Sequence, residues 1–474
     1  MTSPTDEPAG TTLRVDAQPT KDFFVSMLVR DVELLDAVVD LLDNSVDGAR
    51  RLRPNGEYAG LEVSLVFNEN EFKIWDNCGG ISLEVATKYA FRFGRDTKNP
   101  ADPHSIGQFG VGMKRTLFKL GDDFRVVSRS SNDEFVLEVN VPSWLQREAW
   151  DFELSTESGP ELQELQGVGT LIEASNLTAS SRDDLADSAW GQRLATAARL
   201  KHRRAIDRGL RVSVNGRVLA PMPLDLRQGQ GIAPAVERLS LAGGSVNVTL
   251  LTGLSEADPS AAGWYVFCND RLVLGPDRTA ATVWRGAGRQ ARGGVPNYHD
   301  QYSEFRGYAL FEADNPSLLP WTTTKTGVDS ENPVWRSARP HMERLTRPVI
   351  DFLNQLDKER TAIQGDARRG QPGMASEDEE LHAELVAVAV RSSPRVGIDE
   401  VIGQTSGLTR GRSFTAPEVD LASLPIPKVW IRYSADSTEV TTARRLMGGS
   451  SVRDVPNSDV GRRAFDYYLD NEGE

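Results

Sequence analysis

The chain has 474 residues, enough for about three folding units at roughly 150 residues each. Apolar residues make up 39% and charged residues 26%, so a sizeable core is available and a wholly disordered chain is excluded. The 68 acidic side chains outnumber the 54 basic ones, which argues against a protein that coats duplex DNA with most of its surface, though not against a local basic patch.

Cys78 and Cys268 are the two cysteines, and no CxxC or His cluster accompanies them. This excludes a disulfide framework and a cysteine zinc site, and suits a reducing cytoplasm. No run of 18 apolar residues occurs, and Met1–Thr20 lacks an apolar signal core, so the expectation is a soluble cytoplasmic protein with no membrane partner. Ten lysines leave 44 of the 54 basic residues as arginine. A lysine inside an informative loop therefore carries weight, although codon bias alone would give the same ratio.

In chain order, residues 1–20 read as a flexible tail. Between Asp31 and Arg51 the apolar residues Val32, Leu35, Val38, Val39, Leu42 and Val46 recur at helical spacing, and Pro54–Asn55–Gly56 ends the helix. Leu61–Phe67 and Glu71–Trp75 predict a hairpin. Helix is predicted near Leu83–Phe93 and over Met113–Leu120, then strands at Phe124–Ser128, Glu134–Val141 and Gly169–Ala174. An Ala/Arg-rich helical region covers about 180–208. Strands follow at Leu210–Val214, Ser245–Leu251, Trp264–Cys268 and Tyr308–Phe311, and a long helix runs from Val334 to about Leu356. Residues 361–373 read as a linker. A strand at Val429–Tyr433 and two short helices, Thr438–Met447 and Asn457–Leu469, end the chain.

Three constellations carry chemistry. In Asp40-Leu-Leu-Asp-Asn44-Ser-Val-Asp47, Asp40 and Asn44 lie four apart and share a helical face. That face is either the solvated side of an amphipathic helix or a carboxylate and amide able to hold a water and a hydrated Mg2+. Asp76-Asn-Cys-Gly79-Gly80-Ile81 follows a strand directly. It is either an ordinary turn or a carboxylate placed to accept from an exocyclic amine, with glycines that let a flat ring approach. Gly107-Gln108-Phe109-Gly110-Val111-Gly112-Met113-Lys114 runs into a helix whose N-terminus suits phosphates, and it fits neither the P-loop nor the Rossmann spacing.

In that order, with Gly167-Val-Gly169-Thr170 opening a later strand, the three elements make the sequence resemble the GHKL (Bergerat-fold) ATPases: type II topoisomerase ATPase subunits, MutL, MORC proteins, large heat-shock chaperones and histidine kinases. Gly263-Trp-Tyr-Val-Phe-Cys-Asn269-Asp-Arg271 resembles the Asn-x-Arg strand of MutL-like and MORC-like members. Leu319-Pro-Trp-Thr-Thr-Thr-Lys325 resembles the loop from which their transducer domain sends a lysine to the γ-phosphate.

The resemblance implies an α+β architecture: a flexible tail 1–20, a two-layer GHKL ATPase domain over 21–205, and a transducer-like α+β domain over 206–358. A linker over 359–377 and a strand-helix-helix partner or dimerisation module over 378–474 complete it. It further implies ATP and Mg2+ as ligands. Asp40 would be general base, Asn44 the Mg2+ ligand and Asp76 the adenine reader, with Asp47, Gly80, Ile81 and Thr170 around the nucleotide. The turn Gly107–Lys114 would serve as lid hinge, and Lys325 would face the γ-phosphate. Slow hydrolysis driving an ATP-gated homodimeric clamp, in DNA transactions or genome and phage defence with a DNA or protein client, is the leading function implied. A nucleotide sensor without useful turnover and a GHKL-type protein kinase are the alternatives, and no His occupies a phospho-acceptor helix. Two positions depart from the pattern. Asp40 replaces the usual Glu and is one methylene shorter, and Cys78 replaces the first glycine of the adenine loop, which narrows that space unless Gly79 and Gly80 take over.

Overall fold

The computed structural model describes residues 19–30, 32–93, 106, 112–157, 165, 167–229, 231–284, 295–369, 386, 390–406, 411–416 and 435–472. Two compact units divide the chain, Met1–Leu421 and Ala422–Glu474.

The first unit begins with α1 (Lys21–Arg30) and α2 (Leu34–Leu52). Then come β1 (Glu62–Phe67), β2 (Phe72–Asp76), a short α3 (Leu83–Val85) running into a π turn at Ala86–Ala90, and α4 (Gly112–Leu120). The strands β3 (Gly121–Arg129) and β4 (Glu134–Asn140), α5 (Val141–Gln146), β5 (Leu154–Ser155) and β6 (Gly169–Leu177) follow. Next are α6 (Ala179–Ala186), α7 (Ser188–Lys201), α8 (Arg203–Asp207), β7 (Arg211–Val214) and β8 (Arg217–Val218). Their strands make one eight-stranded sheet in the order β5-β4-β3-β6-β2-β1-β7-β8, in which β1 and β7 run parallel and the other pairs antiparallel.

The apolar spacing of α2 explains its place. Val38, Leu41, Leu42, Val46 and Ala49 are buried in the core with β1 and β2 residues such as Leu65 and Ile74. Fully burying such a side chain stabilises by about 1.5–3 kcal/mol. Its polar residues are also shielded, from the other side.

That cover comes from a second sheet layer. It comprises β9 (Asp225–Arg227), β10 (Ala235–Leu241), β11 (Val246–Leu254), β12 (Gly263–Cys268), β13 (Arg271–Asp277) and β14 (Phe305–Glu312). Five of these order as β10-β11-β14-β12-β13, with β12 and β14 parallel. The helix α9 spans Pro333–Arg369 and packs on β11. It runs past the predicted end at Leu356 and through most of the predicted linker. Asp357-Lys-Glu-Arg-Thr-Ala contains no breaker, and the single Gly365 costs about 1 kcal/mol, too little to end a long helix. The chain then returns: β15 (Arg395–Gly397) pairs antiparallel with β9, followed by α10 (Ile398–Gln404). The sequence reading missed β9, β10, β13 and β15, which are short or carry charges that mask their alternation.

In the second unit, α11 (Ser437–Leu446) starts with a capping box between Asp436 and Glu439. The loop before α12 (Asn457–Glu472) is tied to α11 by the Arg444 guanidinium, which donates to Val455 O at 2.9 Å. The predicted strand Val429–Tyr433 lies outside the described residues.

Candidate nucleotide site

Four carboxylates or guanidinium groups line one side of α2: Asp40, Asp43, Asp47 and Arg50, at three- and four-residue steps. The three acids are buried, which a helix tolerates only if each is matched. Asp47 accepts the backbone N–H of Ile106 at 2.8 Å. Asp40 accepts Arg115 Nη2 at 2.6 Å on one oxygen and Arg271 Nη1 at 3.2 Å on the other, with Lys325 Nζ 3.9 Å away. Asp43 accepts Lys325 Nζ at 2.7 Å, pairs with Arg271, and lies 3.3 Å from His202 Nε2. Burial pushes the Asp40 carboxyl up, but Lys325, Arg271 and Arg115 outweigh it and hold it below the usual range. Burial pushes His202 down to about 3, so the ring is neutral.

Asn44 sits one turn beyond Asp40. Its amide nitrogen is buried and has no hydrogen-bond partner among the described residues.

The adenine-loop candidate closes against the same helix. Asp76 ends β2 and accepts Ser45 Oγ of α2 at 2.7 Å and the Cys78 N–H at 2.9 Å, with Thr170 opposite it in the β2–β6 register. Burial pushes the Asp76 carboxyl up, opposed by those hydrogen bonds. Gly80 has φ +68, and a Cβ there would fall 2.1 Å from Arg129 O, so the backbone permits only glycine. The Ile81 N–H then donates to Ser128 Oγ at 2.7 Å. Cys78 is buried in the core, and its carbonyl would lie 2.5 Å from a Cβ on Gly48. The thiol thus packs inward, while Gly79 and Gly80 carry the left-handed turn.

Gly107, Gln108, Phe109, Gly110 and Val111 lie outside the described residues. Gly112 opens α4 with its Cβ position 3.7 Å from Asp40 Oδ2, so the phosphate-loop candidate does abut the base candidate. Met113 is in the core, and the buried Lys114 amine donates to Ala90 O at 2.6 Å.

Lys325 comes from the second layer. It has φ +54, uncommon for a side chain-bearing residue, in a turn closed by the Lys325 N–H to Thr322 O at 2.9 Å. Burial pulls its ammonium down to about 7, against Asp40 and Asp47, which pull it up. Arg271 arrives on the β12–β13 hairpin. Asn269 and Asp270 both have positive φ, the geometry of a two-residue type I′ turn. The Asn269 amide locks the tip by donating to Ala313 O and accepting from Ala313 N, both at 3.1 Å.

Sequence reasoning brought Asp40, Asn44, Asp76, Gly112 and Lys325 to one helix side. It missed Asp43, Arg115, Arg271 and His202 as members of the same cluster. Arg271 stood in a recognised motif without a role, and Asp43 stood beside Asn44, but nothing local pairs residues 282 positions apart.

No curated protein matches the chain. Residues 32–170 match the family model of histidine kinase-, DNA gyrase B-, and HSP90-like ATPases, a segment that runs from just before α2 to Thr170 and contains Asp40, Asn44, Asp76 and the sequence Gly107–Lys114. This segment is a GHKL-type ATPase domain, a member of that family.

Proposed function

We propose that the chain binds Mg2+-ATP along α2, hydrolyses it slowly, and uses it to gate a homodimeric clamp or switch. The observation that carries this reading is the Lys325 ammonium, brought from the second sheet layer to 2.7 Å from Asp43 on the helix that bears Asp40 and Asn44. A cation that already joins both layers ties nucleotide state to their arrangement, which is the task of a transducer. Among the described residues the Asn44 Nδ2 has no partner and is open to donate to a phosphate oxygen, while its carbonyl oxygen is the atom a metal ion would take. One protein oxygen plus phosphates and waters is the set Mg2+ prefers. Asn44 would hold the ion, Asp76 would accept the exocyclic amine, and Gly80 and Ile81 would border the base. The bound ion would spread charge off the phosphate oxygens. Asp40 would orient or deprotonate water, and Lys325 would offset charge at the terminal phosphate.

A sensor without useful turnover is the second reading, favoured by the occupation of both Asp40 oxygens by Arg115 and Arg271. Phosphate release, with light scattering in a non-hydrolysable ATP analogue, separates the two. The clamp requires slow turnover and dimerisation in the wild type, a trapped closed dimer without turnover in Asp40→Ala, and weakened closure in Lys325→Ala. A wild type that stays monomeric with ATP and releases no more phosphate than Asp40→Ala would sink the clamp and leave the sensor.

A further inference from the structure

Three cations, Arg115, Arg271 and Lys325, converge on two carboxylates, Asp40 and Asp43. The neighbouring acids on α2 are committed elsewhere, Asp36 to Lys201 at 2.6 Å and Asp47 to the Ile106 amide. His202 adds no charge, so the two carboxylates are matched by cations alone.

Arg271 is the most telling member. Its side chain is 0% exposed, yet among the described residues Nε and Nη2 have no hydrogen-bond partner, and only Nη1 serves the two carboxylates. Arg115 Nε is likewise buried and unmatched among the described residues. A guanidinium presents its donors as a planar fork that matches two oxygens at once. Unmatched buried donors oppose folding, and that penalty disappears if an oxyanion enters. The place is right for one: Lys325 Nζ lies 3.9 Å from Asp40, and Gly112 adjoins the same carboxylate.

We propose that Arg271 is a second ligand of the terminal phosphate of a nucleoside triphosphate, its Nε–Nη2 edge taking two phosphate oxygens beside Lys325. The proposal rests on α2 being the ATP site. A terminal phosphate carries more charge than a carboxylate, so it draws Arg271 from Asp40 and frees a carboxylate oxygen for water. Arrival of the triphosphate thereby completes the cation cluster and unloads the base together.

The test measures binding of ADP and of a non-hydrolysable ATP analogue to the full chain in Mg2+, by calorimetry. Arg271→Gln is expected to weaken the analogue by about tenfold or more while changing ADP by less than about twofold, and Arg271→Lys recovers part of the loss. In the wild type, hydrogen exchange over Cys268–Leu272 is expected to slow with the analogue and not with ADP. Equal loss of both nucleotides in Arg271→Gln, or no loss, overturns the assignment. Equal protection of the hairpin by ADP and the analogue overturns it even if the variant does not fold. A wild type that binds ADP but shows no added response to the analogue overturns the Arg271 role alone, whereas no adenine-nucleotide binding at all removes the ATP site itself.

Discussion

Asp270 and Arg271 are consecutive at one hairpin tip, and each anchors a different ion cluster. Asp270 accepts Arg204 Nε at 2.5 Å, Arg208 Nη1 at 2.7 Å and Arg50 Nη2 at 3.2 Å, while Arg204 and Arg208 also reach Asp399 of α10. Burial pushes the Asp270 carboxyl up, but Arg204, Arg208 and Arg50 hold it well below the usual range. This cluster opens to solvent, since the Asp399 side chain is 51% exposed. The Arg271 cluster is sealed, with Asp43 at 1%. Similar charges therefore do different work. At the Asp399 rim water reaches the carboxylate, although Arg204 Nη1 behind it is buried and unmatched among the described residues. The cluster fastens the returning C-terminal segment to the hairpin. In a sealed pocket the mismatch persists until a ligand cancels it.

The sharpest way to break this contrast is to remove one acid from each side. Asp43→Ala leaves Arg271 and Lys325 buried without their main partner and is expected to destabilise by about 3–5 kcal/mol. Asp399→Ala, at the exposed rim, is expected to cost less than about 1 kcal/mol. Urea unfolding reads both, and equal losses would erase the distinction. Next in size is Asp76, a buried carboxylate matched by a hydroxyl and an amide rather than by the cation cluster. Asp76→Asn is expected to spare folding and to weaken ATP by about 1.5–3 kcal/mol in calorimetry. A wild type that retains GTP as well as ATP would argue against adenine reading there.

The effect that only pH reveals concerns His202. Its folded value of about 3 lies below that of an unfolded histidine, so the unfolded chain takes the proton first and stability falls as pH drops from about 6.5 toward 3. His202→Gln should flatten that fall by about 1.4 kcal/mol per pH unit between about pH 6 and pH 4, read from urea midpoints. An unchanged slope would mean that the imidazole carries a proton beside Asp43.

Much of the site was legible because its parts are local. The four-residue step from Asp40 to Asn44, the strand-end Asp76 and the glycines after it, and the glycine turn before α4 each announce themselves within a few residues. So did Lys325, through the scarcity of lysine. The matching of charges was not legible, because pairing depends on which segments meet across sheets, and periodicity says nothing about that. The effect of Cys78 was equally hidden: whether a thiol crowds a ligand or fills the core depends on where the left-handed residues Gly79 and Gly80 send the chain. The extent of α9 failed for another reason, since one glycine in a polar stretch reads as a linker when tertiary support is out of view.

A single codon inserted between Cys268 and Leu272 is expected to be poorly tolerated. Hairpin tips ordinarily absorb insertions, because nothing beyond the turn depends on their length. Here the turn meets helices on both flanks, and a shift of one residue exchanges which side chain faces which flank. Shifted one way, a carboxylate would meet Asp40 and Asp43; shifted the other, a guanidinium would meet Arg50, Arg204 and Arg208. Selection at this tip would thus act on length before it acts on chemistry, and drift among lineages would show as substitution without insertion or deletion.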